Sequence, residues 1–130
     1  MKIKMDFTTN SSSSSFVILA KNKLDKQNLE SIFKELVGVS KLFPNLARDI
    51  ANAFESSIEH RTLEEFLDDY GYDSVEELDD FEEVTENIAE YPVIYSGSFG
   101  NDEGPIENLL CDATINYKDN NIIISKRGGY

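Results

Sequence analysis

Residues Phe16-Val17-Ile18-Leu19-Ala20 place five apolar side chains in unbroken succession. A strand sends alternate side chains to opposite faces, so the run reads as a short buried strand that is apolar on both. It is far too short to cross a bilayer, which takes about 20 apolar residues in a helix. The rest of the chain must therefore supply elements to cover it. With 130 residues, 40% of them apolar, one domain with a real core is the expectation.

The next 70 or so residues read as helices. Asp25 is placed as an N-cap, with Leu24 and Leu29 spaced for a hydrophobic staple. Leu29, Ile32, Phe33, Leu36 and Val37 form one apolar face, and Gly38 stands at a left-handed C-cap position. Pro44 suits the first turn of a second helix, whose stripe is Leu46, Ala47, Ile50, Ala51, Phe54 and Ile58. Thr62 and Glu65 have capping-box spacing and open a helix that stops at Gly71. Ser74 and Glu77 repeat the box and open a longer helix toward Tyr91, with Val75, Leu78, Phe81, Val84 and Ile88 on its buried edge. Pro92 ends the helical part.

Beyond it, Val93-Ile94-Tyr95 read as a strand and Gly97 to Gly104 as a glycine-punctuated loop. Pro105 to Cys111 read as a short helix, and Ala113–Tyr117 with Asn121–Ser125 as a hairpin around Asp119-Asn120. The expectation is one α+β domain over 1–130, with a three- or four-stranded sheet packed against about four helices from the 24–91 region. Its strands fall near 15–20, 92–97, 112–117 and 121–126. A polar serine-rich loop is expected over 8–15 and a frayed tail over 126–130.

Charge is unevenly distributed. The chain holds 25 acids and 12 bases, a net −13, yet from Thr62 through Tyr117 there are 17 acids and no Lys or Arg. That balance speaks against direct binding to nucleic acid or anionic membranes, which begins with phosphate neutralisation. Glu76, Glu77, Asp79, Asp80, Glu82, Glu83, Glu86 and Glu90 put eight carboxylates within 15 residues. On a helix this is about one charge per 2.8 Å, the same order as the roughly one per 1.7 Å of duplex DNA. Together with Glu64, Glu65, Asp68 and Asp69 they form a candidate face for a basic partner, with a solubilising surface as the alternative reading. Nothing here has EF-hand spacing.

Chemistry-bearing residues are few. One Cys excludes an internal disulfide, and one His makes a His-based triad or metal site improbable. Cys111 reads as a core residue, and His60 as a cation near a helix end. Ser96-Gly97-Ser98-Phe99-Gly100 faintly resembles a nucleophile elbow around Ser98, with Ser96 where a glycine belongs. Asn101, Asp102 and Glu103 offer hard oxygen ligands and are weak candidates for Mg²⁺ or Ca²⁺. The run Ser11, Ser12, Ser13, Ser14, Ser15 offers five hydroxyls as a possible anion nest or modification site. No cofactor is indicated. Asp6, Thr8, Thr9 and Asn10 stand where a signal peptide needs its apolar stretch, so an intracellular protein is expected.

Lys2-Ile3, Asp6-Phe7 and Asn10 through Ile18, with the pentaserine framed by Asn and Phe, resemble the opening of a group of small phage and bacterial proteins. About 17 residues carry the resemblance. It implies a phage or mobile-element origin and a bacterial cytoplasm, and no activity. The expectation is therefore a non-enzymatic interaction protein that docks a basic surface of a host protein, one that normally binds nucleic acid if the acidic face is a mimic. The alternatives are a ligand- or metal-binding domain or enzyme built on the 97–104 loop, and a virion assembly component. Oligomeric state is left open.

Overall fold

The computed structural model describes residues 2–7, 13–37, 45–74, 82–100 and 104–126. In chain order the elements are β1 (Lys2–Phe7), β2 (Ser13–Ala20), α1 (Lys26–Val37), α2 (Leu46–Ser57), β3 (Ile58–His60) and α3 (Leu63–Tyr70). Then follow α4 (Glu82–Asn87), β4 (Val93–Gly100), α5 (Pro105–Asp112), β5 (Ala113–Lys118) and β6 (Ile122–Lys126). All strands join one antiparallel sheet of order β1-β5-β6-β2-β4-β3, making an α+β fold.

The apolar run is the middle of this sheet. Phe16, Ile18 and Ala20 point into one core with Leu29, Ile32 and Phe33 of α1, Ile50 and Phe54 of α2, and Leu110 of α5. Val17 and Leu19 point the other way, onto Phe66 of α3, Val84 of α4 and Tyr91. Helices thus cover both faces. The first core centres on Phe16, whose ring lies 4.7 Å from that of Phe54 in an edge arrangement and 5.2 Å from that of Phe99 in a stack. Such pairs add about 0.5–1.5 kcal/mol each beyond the area they bury.

Local signals explain the element ends. Asp25 Oδ1 accepts the Asn28 N–H at 2.8 Å, capping α1, and Leu24 packs against the core that holds Leu29. Thr62 Oγ1 accepts the Glu65 N–H at 3.2 Å, while Glu65 reaches back to the Arg61 N–H at 3.0 Å. Gly71, at φ 75°, closes α3 with bonds from its own N–H to Asp68 and from Tyr72 N–H to Leu67. In the β5–β6 turn Asp119 Oδ1 accepts the N–H groups of Asn121 (2.7 Å) and Ile122 (2.9 Å), and its Oδ2 accepts the Tyr117 hydroxyl at 2.6 Å.

The structure corrects several expectations. Among the described residues the sheet has six strands against the three or four expected, the additional ones being β1 and β3. β1 lies on an edge of the sheet, paired with β5. α2 stops at Ser57 and Ile58 turns extended, so Ile58 and His60 belong to β3 instead of a helix end. The strand expected near 15–20 begins earlier, at Ser13, and takes its serines out of the loop expected over 8–15: Ser13 pairs with Gly100, Ser14 with Phe99 and Ser15 with Ser98. The same pairing makes Gly97 to Gly100 part of β4; the glycine there is needed for close approach, because a Cβ on Gly97 would collide with the Ser57 carbonyl and the Phe16 ring. Lys126 is not frayed: it ends β6, is 1% exposed, and donates from Nζ to the carbonyls of Ala113 (2.6 Å) and Cys111 (3.4 Å). Those carbonyls close α5, whose dipole favours a cation there. Of the helix expected from Ser74 toward Tyr91, residues 75–81 lie outside the described residues, Glu82–Asn87 form α4, and a turn follows Asn87. Gly38, Pro44, Glu77 and the tail beyond Lys126 lie outside the described residues.

Candidate functional site

The layer of α3 and α4 follows from a simple alternation. On α3, Phe66 is buried and Leu63 and Leu67 are half-buried against the second core, which turns Glu64, Glu65, Asp68 and Asp69 outward. On α4, Val84 supplies the buried contact and Glu86 is exposed; Glu90 follows, also exposed. Glu64, Asp68 and Glu86 have no ion-pair partner among the described residues. Asp69 Oδ2 lies 3.4 Å from His60 Nε2, and Glu90 lies 3.7 Å from Lys21 Nζ.

The helical layer on the opposite face differs in kind. There Glu30 sits between Lys34 (3.9 Å) and Arg48 (3.7 Å), and Glu55 faces Arg61 at 3.6 Å. Glu30 and Glu55 are thus paired with bases on that side, whereas Glu64, Asp68 and Glu86 have no ion-pair partner among the described residues on the α3/α4 side. The sheet therefore separates a mixed layer from one whose described carboxylates, on α3 and α4, come from the stretch without bases; that stretch also supplies β4, α5 and β5, and α5 packs on the mixed side. Of the remaining candidate residues, Glu76, Glu77, Asp79 and Asp80 lie outside the described residues, and the side chains of Glu82 and Glu83 are not described.

At the border of the acidic layer stands an arrangement the sequence did not reveal. His60 Nδ1 lies 2.7 Å from Ser96 Oγ, with Asp69 on its other ring nitrogen, and its ring meets the edge of Phe66 at 6.3 Å between centroids. The order Ser, His, Asp matches that of a nucleophilic relay. Ser96, however, is 3% exposed in the interior of β4, so its hydroxyl is screened from a substrate carbonyl. What the arrangement does is tie β3 and α3 to β4. The elbow imagined at Ser98 is absent: that residue lies in an extended strand and donates to Glu59 at 3.4 Å. Only the separation of 36 residues between His60 and Ser96 hid the contact. Nothing local in the sequence signals it.

β2 begins and β4 ends at the same end of the sheet, since Ser13 is the register partner of Gly100. Ser14 is buried and donates to the Cys111 carbonyl at 2.8 Å, which makes it an internal fastener, while Ser15 is exposed. The Ser13 side chain is not described, and Ser11, Ser12, Asn101, Asp102 and Glu103 lie outside the described residues. Among the described residues no group of three or more His, Cys, Asp or Glu is arranged to hold a metal ion. Cys111 is buried and no described helix is long and apolar enough to cross a membrane.

Comparison with protein-family models, curated proteins and solved structures gives no match for this chain.

Proposed function

We propose that the chain is a non-enzymatic interaction protein whose α3/α4 layer docks a basic surface on a protein partner. The observation that carries this reading is the sorting of charge by the sheet: Glu64, Glu65, Asp68, Asp69, Glu86 and Glu90 all face outward on one layer, against a layer on the other where Lys34, Arg48 and Arg61 stand among the acids. Like charges at i,i+4, such as Glu64 with Asp68 and Glu65 with Asp69, destabilise a helix by about 0.2–0.5 kcal/mol per pair. They form a preset negative field that accelerates encounter with a basic patch and weakens with salt. A partner that normally binds nucleic acid fits this field, with the acidic layer standing in for phosphates. The N-terminal resemblance supports a phage or mobile-element origin, and thus a host protein as the partner.

The test is capture from bacterial lysate at low and high salt, with mass-spectrometric readout, using the parent chain and a Glu64→Lys/Asp68→Lys/Glu86→Lys variant. A basic protein retained by the parent, released by salt and missed by the variant is expected. Equal capture by both chains would overturn the reading.

A further inference from the structure

On the face of the sheet away from the acidic layer lies a cleft of about 360 Å³, between α1 and the β5–β6 turn. Small-molecule sites span about 300–1,000 Å³. Leu24, Ile32 and Ile122 give it an apolar floor continuous with the first core. Its rim carries opposite charges: Lys23 stands in the loop before α1 and Glu35 on α1 itself, both exposed. Neither makes an ion pair among the described residues.

The other acid of the cleft, Asp119, is already engaged. Its Oδ1 holds two backbone N–H groups and its Oδ2 takes the only proton of the Tyr117 hydroxyl. Glu35 lines the same cleft, and its exposed carboxylate is open to a cationic donor.

We propose that this cleft binds a small zwitterion of the free amino-acid class with an apolar side chain. The ammonium group meets Glu35, the carboxylate meets Lys23, and the side chain covers Leu24, Ile32 and Ile122. The site is separate from the docking layer, so either can fail alone.

Calorimetric titration of the full chain with L-leucine, isoamylamine and isocaproate tests it, since the last two each keep one of the two charges. Saturable binding of L-leucine is expected, with each single-charge analogue weaker by about tenfold or more. Glu35→Gln is expected to weaken L-leucine by about tenfold while leaving isocaproate unchanged, and Lys23→Met to weaken L-leucine while leaving isoamylamine unchanged. Both side chains are exposed, so the variants keep the parent's thermal melt; should one not, discrimination among the three probes by the parent still decides. No saturable heat at millimolar L-leucine, or equal affinity for all three probes, would overturn the proposal.

Discussion

At Gly97 the end of α2 lies against the sheet, and the fit there depends on a missing methyl group. Gly97→Ala drives a Cβ into the Ser57 carbonyl and the Phe16 ring. Overpacking of this kind costs about 1–3 kcal/mol, and since the obstacle is backbone, the upper end is expected in urea melts. Tyr117 makes a second prediction. Burial first, then its hydrogen bond to Asp119 and the charges of Asp119 and Glu35, raise its phenol above the ordinary 10.0. A group whose pKa is higher folded than unfolded stabilises fully below the unfolded value, and that contribution is lost as pH rises past about 10. Tyr117→Phe is expected to lower stability near neutral pH by about 1.5–3 kcal/mol, through loss of a hydrogen bond to a charged group. It is also expected to flatten the decline above about pH 10. Melts across that pH range check both signs. A parallel decline in parent and variant would mean that Tyr117 does not carry the effect.

At the scale of elements, α3 is eight residues long and is held at both ends by local chemistry. Thr62→Ala removes the oxygen that accepts the Glu65 N–H and is expected to cost about 1 kcal/mol. Gly71→Ala forces a side chain into the left-handed region, at about 1–2 kcal/mol. Thermal melts measure both, and no loss in either would mean that α3 is held by packing alone. These caps are also what made α3 legible from sequence, because a Thr and a Glu three residues apart and a terminal Gly act through neighbouring backbone. β2 and the hairpin were legible for a similar reason: an unbroken apolar run and an Asp-Asn turn. β3 was not. Ile58-Glu59-His60 has no strand signal of its own, and it is extended because β4 presents Gly97 and Ser96 to it. The serines misled in the opposite direction. Their hydroxyls favour loops, but β4 supplies the backbone partners and Cys111 takes the Ser14 hydroxyl. Lys126, read as part of a tail, is fixed by carbonyls 13 and 15 residues away.

Among the described residues the sheet divides a layer of mixed charge from one that is mainly acidic. The composition of the 62–117 stretch announced an acidic region; only the fold shows that its described carboxylates on α3 and α4 share one outer layer. Self-repulsion within that layer predicts that the thermal midpoint rises as salt is added from low ionic strength, where the screening length is about 30 Å, to about 0.15 M, where it is about 8 Å. An unchanged midpoint would show that the carboxylates are too far apart to repel. The most direct test of the docking layer compares two variants of equal net charge against a captured partner: Glu64→Lys/Asp68→Lys on the acidic layer and Asp49→Lys/Glu55→Lys on α2. If the layer is the docking surface, the first loses about tenfold or more in affinity, mainly through slower association, and the second stays close to the parent. Equal losses in both would show that only net charge matters, and would contradict a docking surface on α3 and α4.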